Sequence, residues 1–522
     1  MSLGAADPLA QSRNARAESF ALDPAVLLAA IAGVVTFVFH VATSGAYGYH
    51  RDELYYISCA RHLAWGYVDL PPLSPVIVKF ALFAFGDSLT GLRLLPALAA
   101  AATVVVSGRI ARRLGGGLVA QGLAMLALAL APFYLAVGNI LTMNSFEPLL
   151  WVSAAYLFMK AESDDRPLRW LVLGIVVGLG FLNKDSMFLF MGCVCVGIAF
   201  TPQRRAFARP GFWLAVAVAL VMVAPSLAWQ SAHGWPHIEV LHNKAAGLNT
   251  TLDPATFFLW QILMMGPLSA PLWIAGLWFL FSPGGARLRW FGLAYFILLL
   301  VHLALQAKVY YLAPIYPFLI AAGSVVIERA LRPRRWLAVT YASLLLVVGL
   351  VIAPTAFPVL PLKTFIAYQR IFDMRGITME RRPEGIVPEQ FADEFGWDSL
   401  VDTMSAAYRK LPADQRAQAV FLTVNYGQAG ALDFFGPKRG LPPALSGNLN
   451  YFLYGTRGAS GNVVLAIGLD PRLLRTQWKS VVRVATYHDD YVLPDDNNLA
   501  IYLCTRPVGD FAAWWPRTKR YI

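Results

Sequence analysis

The chain is short of charge. Only 14% of its 522 residues are Asp, Glu, Lys or Arg, against about 25% in an ordinary soluble domain. With a hydrophobic fraction of 57%, that shortage excludes a soluble enzyme of this length. Cysteine is scarce as well. The four cysteines form neither a CxxC pair nor a zinc pattern. Cys193 and Cys195 lie in an apolar run and read as packing residues, whereas Cys59 and Cys504 could share an oxidising compartment. No Walker loop, GxSxG elbow or dinucleotide fingerprint stands in a suitable strand–turn–helix context. No internal repeat stands out beyond an alanine run near residue 100. The first apolar run follows a polar start and reads as uncleaved, so no cleavable signal peptide is expected.

Apolar runs fill the first two thirds of the chain. A helix needs about 20 apolar residues to cross a bilayer, and eleven such segments can be drawn. They are 25–44, 91–112, 117–138, 143–160, 168–182, 186–200, 211–229, 256–281, 288–306, 311–330 and 336–354. The fifth and sixth are short and are separated by "NKDS". The formal charge of +12 reads as orientation, not as a nucleic-acid partner, because cations gather on cytoplasmic loops. With the N-terminus in the cytoplasm, that side holds Arg13, Arg16, Arg109, Arg112, Arg113, Lys160, Arg166, Arg169, Arg204, Arg205, Arg209, Arg287, Arg289, Arg329, Arg332, Arg334 and Arg335. The opposite short loops hold only Arg51, Arg61, Lys79, Arg93, Lys184, Lys244 and Lys308. The expectation is a multi-pass protein of the inner or plasma membrane, with a membrane domain over 1–354 and an extracytoplasmic domain over 355–522.

The tail is different material. "AVFLTVNYG", "GNVVLAIGL" and "NNLAIYLC" have strand character. "DSLVDTMSAAYRKL" predicts an amphipathic helix with Leu400, Met404, Ala407, Tyr408 and Leu411 on one face. Together they predict a small α/β domain outside the membrane.

The segment "YGYHRDELYYISCARHLAWGYVDLPPLSP" (47–75) sits just outside the first span. Its loop is too long for a plain connector and predicts two helices lying along the membrane surface. Asp52 has two readings there: a helix N-cap, or a functional carboxylate. Glu53 in the first turn suits the helix dipole. The other junctions on this side bring Asn139, Asn144 and Glu147; Asn183, Lys184 and Asp185; and Lys308, Tyr310 and Tyr311. Charges placed this deep tend to be functional, although each can simply mark the water boundary. Carboxylates and cations together can supply a base and hold a phosphate. In "WQSAHGWPHIEVLHNK", His233 and His237 are four apart and could share a helix face as metal ligands, although Trp235 and Pro236 weaken a regular helix. The sequence requires no cofactor.

In order along the chain, "YHRDELYY", "GYVDLPPLSPVIVKF", "GLGFLNKDSMF", "AKVYYLAPIYPFLIAAGS" and "VNYGQAGALDFFGP…SGNLNYFLYG" resemble the membrane glycosyltransferases of the C superfamily, family 39. That group includes protein O-mannosyltransferases and lipid A aminoarabinose transferases, and the tail block is similar to a subset of bacterial members. The resemblance implies a polyprenyl-phosphate sugar donor, a lipid, glycan or protein acceptor, and transfer with inversion. It implies an acidic base in the first outer loop, where Asp52 stands with Glu53 beside it. Arg51, Lys79, Lys184 and Lys308 are then candidates for the donor phosphate. Asp69, Asn144, Glu147, Tyr310 and Tyr311 are candidates for acceptor or donor sugar. Some relatives carry an acid where this chain has Asn144, with Glu147 the substitute one turn on. Two other readings compete: a lipid-linked sugar transporter or flippase, and a non-catalytic scaffold whose tail binds envelope polymer through Tyr426, Gln428, Asp433, Asn448, Asn450 and Tyr451. A transporter would instead place its charges at the bilayer midplane between two symmetric halves.

Overall fold

The computed structural model describes residues 23–247, 252–372, 383 and 385–522. Arg13 and Arg16 of the orientation argument lie outside them. Each of the eleven apolar segments contains a helix. Eight of these are Pro24–Thr43, Leu89–Arg113, Met143–Ser163, Pro167–Asn183, Ser186–Ala199, Pro210–Ala232, Arg289–Ala304 and Arg335–Ile352. A ninth, Tyr316–Leu331, follows a 3-10 turn over Val309–Ile315.

The remaining two are not the straight spans expected. Leu118–Ala129 and Pro132–Gly138 meet at 63°, and Pro254–Met265 and Pro267–Phe281 meet at 96°. Proline is the cause at both bends. It lacks the amide for the next helical bond, and it pushes the residue before it out of the helical region. Ala131 accordingly has ψ 128°, and Gly266 has φ 84°. Among the described residues, five helical stretches can cross a membrane by length and composition, or up to eight if each bent pair is one span. Apolar side chains on these helices face outward, among them Val34 (61% exposed), Val221 (73%) and Val339 (66%). Such an apolar outer surface needs lipid around it. The chain is a multi-pass membrane protein.

After the last long helix the tail folds around a five-stranded sheet. Its strands are β1 (Ala419–Thr423), β2 (Ala444–Ser446), β3 (Val463–Ile467), β4 (Trp478–Tyr487) and β5 (Leu499–Pro507). Their order is β2-β1-β3-β5-β4. β1 runs parallel to β2 and β3, and β5 runs antiparallel to β3 and β4. The amphipathic helix is Trp397–Arg409, with Leu400, Met404 and Ala407 buried.

Tail and membrane bundle share one core. Leu54, Ile57, Val78 and Leu92 pack in the same buried cluster as Leu400, Phe421, Leu432 and Ile467. The two helices expected along the membrane surface therefore differ in kind. Leu73–Phe85 does present Val76, Phe80 and Phe83 outward. Arg51–Arg61 does not lie on a surface: Glu53 through Ala60 are all buried, because the helix Tyr426–Phe435 covers it. Glycine permits that approach. A Cβ on Gly427 would stand 2.5 Å from Arg51 Cγ, and one on Gly430 would stand 3.0 Å from the Leu54 backbone.

Candidate active site

The site is built at the N-terminus of the Arg51–Arg61 helix. A helix start leaves backbone N–H groups without partners, and here His50 takes one: the Asp52 amide donates to His50 Nδ1 at 3.1 Å. Glu53 completes a capping box by accepting from the His50 amide at 2.8 Å. Asp52 is therefore not the cap. Its carboxylate instead accepts a hydrogen bond of 2.8 Å from the hydroxyl of Tyr426, in the tail. Tyr426 is held from both sides, by a ring contact with Tyr55 (4.7 Å between centroids) and by the Arg51 guanidinium 5.3 Å above it. Burial alone would raise the Asp52 carboxyl. His50, Arg51, the Tyr426 hydroxyl and Lys244 outweigh it and hold the group below the usual carboxylate range.

Glu53 sits very differently from its neighbour. Its Oε1 accepts from Arg93 Nε (2.9 Å) and the Leu141 amide (2.8 Å), and its Oε2 from Arg93 Nη2 (2.8 Å) and the His50 amide. A carboxylate offers about four acceptor positions, so all are taken, and the side chain is wholly buried. No lone pair is left for an incoming hydroxyl, which corrects the pairing of Glu53 with Asp52 as a catalytic acid. Arg93 is the hub of this network. It also donates to the Ser44 and Gly48 carbonyls and to Glu394 Oε2 at 3.0 Å.

Two carboxylates thus face one guanidinium. Burial raises Glu394 to about 7, although Arg93 and His50 oppose the shift. A raised folded value means that the native state holds this proton more tightly than the unfolded chain. The stability gained is complete below the ordinary value of 4.5 and is lost as pH rises through about 7. Glu394→Gln is expected to flatten the fall in unfolding midpoint between about pH 5 and pH 8, measured by thermal melts of the purified chain.

Asp69 forms the other half of the site. Its Oδ1 accepts from the Tyr55 hydroxyl at 2.5 Å, and Tyr55 oxygen in turn accepts from the Asn450 amide of the tail at 3.2 Å. Burial raises Asp69, with the Asp52 charge adding to it, against the pull of Lys244, Tyr55 and His237. The environments thus push Asp52 and Asp69 in opposite directions, the arrangement that lets two acids of one site take different roles. Lys244, on the helix Pro236–Gly247, acts electrostatically on both. His237, on the same helix, has Nε2 2.8 Å from Asp185 Oδ2.

A third group lies at the "NKDS" junction. Lys184 Nζ donates to Asn144 Oδ1 and Glu147 Oε2, both at 2.8 Å, and lies 4.5 Å from the Tyr311 ring centroid and 5.8 Å from that of Tyr310. Ser186 Oγ donates to the other oxygen of Glu147. The fold therefore gathers Asn144, Glu147, Lys184, Tyr310 and Tyr311 from three separate junctions. Glu147 is tied up by Lys184 and Ser186, which speaks against its replacing a second base. The Asp185–His237 pair links this cluster to the Asp69 side. Lys308 precedes the Val309–Ile315 turn and is partly buried. Lys79 is exposed on the Leu73–Phe85 helix, and among the described residues no ion pair or hydrogen bond joins it to the Asp52 group.

The proposed histidine pair does not form. His233 ends the Pro210–Ala232 helix and stacks on Trp229 at 3.9 Å. Gly234 (φ 74°) and Trp235 (φ 57°) then turn the chain before the next helix begins at Pro236. An i, i+4 metal face needs an unbroken helix. Among the described residues no group of three or more His, Cys, Asp or Glu is placed to hold a metal ion. Reading the sequence missed the parts played by His50, Tyr55, Arg93 and Lys244. In the sequence, Arg93 and Lys244 stand only as orientation charges.

Residues 69–229 match the family described as dolichyl-phosphate-mannose-protein mannosyltransferase. No protein of curated function matches the chain in sequence. Among solved structures, ArnT from Cupriavidus metallidurans bound to undecaprenyl phosphate superposes with a TM-score of 0.60, covering 92% of this chain and 97% of that one at 16% identity. The chain therefore shares the fold of ArnT, a helical bundle joined to a sheet domain. The arabinofuranosyltransferase AftD from Mycobacteria shares this fold, with a TM-score of 0.54 over 94% of this chain and 40% of that one, also at 16% identity. The match to ArnT covers both the bundle and the tail, so the shared fold includes the sheet domain that seats Tyr426 on Asp52.

Proposed function

We propose that this protein transfers a sugar from a polyprenyl-phosphate carrier to an acceptor hydroxyl, with inversion, on the extracytoplasmic face of the membrane. One observation carries the reading: the Asp52 carboxylate, which does not cap its helix, accepts from Tyr426 beside the Arg51 guanidinium, in a chain folded like a protein solved with undecaprenyl phosphate bound. In the reaction Asp52 accepts the acceptor's proton as its oxygen bonds to the anomeric carbon. The bond from that carbon to the phosphate oxygen breaks, and the lipid phosphate leaves with the electron pair. Phosphate is a good leaving group, so the step needs cations to hold the growing charge more than an acid. Lys244 and His237 are assigned to that role, with Lys184 and Lys308 at the neighbouring junctions; Arg51 is assigned to holding Tyr426 and Asp52 in register. Asp69 and the Tyr310–Tyr311 pair are assigned to orienting acceptor or sugar. Glu53 is assigned to fixing the helix through Arg93. The acceptor is a lipid, a glycan or a protein.

Tyr426 gives this mechanism a testable detail. Its hydroxyl bonds to the charged form of Asp52 and favours it, so Tyr426→Phe is expected to raise the Asp52 carboxyl. The acid limb of the kcat/KM profile should move to higher pH, with activity at neutral pH changed by less than about tenfold. A purely structural loss would lower the rate equally at every pH.

The function itself is tested in cells. A deletion strain should accumulate one polyprenyl-phosphate sugar and lack the matching glycan, both read by mass spectrometry. An unchanged pool of lipid-linked sugars would count against the assignment. The transporter reading is disfavoured because the paired charges of the Asp52, Asp69 and Lys184 groups collect at one end of the bundle, not at its midplane.

A further inference from the structure

A cavity of about 380 Å³ lies at the end of the bundle opposite Asp52. Helix direction places it there: Pro24–Thr43 runs towards the Asp52 loop, and Leu89–Arg113 runs back from it. Arg109, Arg112 and Arg113 line the cavity with Gln121, Tyr156 and the first turns of the Pro24–Thr43 helix, and among the described residues no acid lines it. Arg112 pairs with Asp23 at 2.6 Å, and Arg113 donates to Ser163 Oγ at 2.6 Å. Arg109 has no hydrogen bond or ion pair among the described residues. Lys160, 5.0 Å from the Tyr156 ring centroid, adds a cation at the rim.

Orientation alone explains cations on loops, but not three arginines lining one cavity walled by four helices. A second feature adjoins it. Val26 lines the cavity, and from there Leu27, Ile31, Val34 and Val38 form an exposed apolar row along one face of the first helix. A cationic recess that opens onto a hydrocarbon-facing stripe suits one class of ligand, an amphiphile with an anionic head.

We propose that this cavity binds a phosphate-headed anionic membrane lipid. The phosphate sits among Arg109, Arg112 and Arg113, the headgroup hydroxyls reach Gln121 and Tyr156, and one chain lies along the Leu27–Val38 row. Basic pockets between membrane helices bind such headgroups by direct ion pairing.

Native mass spectrometry of the purified full chain tests this with three probes: phosphatidylglycerol, phosphatidylcholine and inorganic phosphate. Phosphatidylglycerol should be retained in preference to phosphatidylcholine. Arg109→Gln, which removes no hydrogen bond or ion pair among the described residues, should weaken its retention about fivefold, and Arg109→Gln with Arg113→Gln should do so by the product of two such factors. Arg204→Gln, an exposed change at the same end of the bundle, should leave retention unchanged. Equal retention of phosphatidylcholine, or an equal loss with Arg204→Gln, would overturn the proposal. Displacement of the lipid by millimolar inorganic phosphate would mark a free-anion site and overturn it too.

Discussion

Asp52→Asn is expected to lower sugar transfer by about 10²–10⁴-fold, the range that a positioned general base supplies, while the chain stays folded. The structure makes this a clean substitution. Asp52 does not cap its helix, since His50 does. The asparagine oxygen can still accept the Tyr426 hydroxyl, so the contact between tail and helix survives. What disappears is the ability to take a proton. The unfolding midpoint and the binding of donor lipid should change little, and kcat should carry the loss. A loss under about tenfold in a folded variant would leave Asp52 no role as base. Asp69→Asn is the informative comparison, because it removes a carboxyl whose environment favours the protonated form.

Arg93→Met should have the largest effect on stability. Arg93 is wholly buried and bonds Glu53, Glu394 and two backbone carbonyls. Removing one partner of a buried ion pair costs about 3–5 kcal/mol, because the other charge stays buried without compensation. Glu394 can take a proton near neutral pH, so Glu53 bears most of that cost. Adding Glu53→Gln to Arg93→Met should therefore recover part of the loss. The Arg51–Arg61 helix and the tail should also loosen from the bundle, read as faster proteolysis after residue 385. Equal midpoints for wild type and Arg93→Met would show that the network is dispensable.

Most of the bundle was legible from hydropathy, because a helix in lipid must be both apolar and long. Bends at Ala131 and Gly266 were not, although prolines 132 and 267 mark them; apolar runs hide breaks that do not interrupt hydrophobicity. In the tail, β1, β3 and β5 were read from their apolar character. β2 has only three residues, and β4 carries Lys479 and Arg483 on an edge strand, so neither shows the expected pattern. Local spacing could not reveal the site's partners. Tyr426 meets Asp52 across 374 positions, and Arg93 meets Glu394 across 301. Asp52 and Glu53 are adjacent in sequence and chemically alike. Only the fold shows that one is bonded by a single tyrosine on its Oδ1 and the other is saturated. The His233–His237 spacing misled for the converse reason: it presupposed a helix that Gly234 and Trp235 break.

The most direct test of the central claim follows the donor lipid itself. The purified chain, reconstituted in vesicles with polyprenyl-phosphate sugars and candidate acceptors, should release free polyprenyl phosphate and form glycosylated acceptor in equal amounts. Both products should fall together in Asp52→Asn. Movement of intact lipid-linked sugar between leaflets, with no polyprenyl phosphate released, would contradict the account.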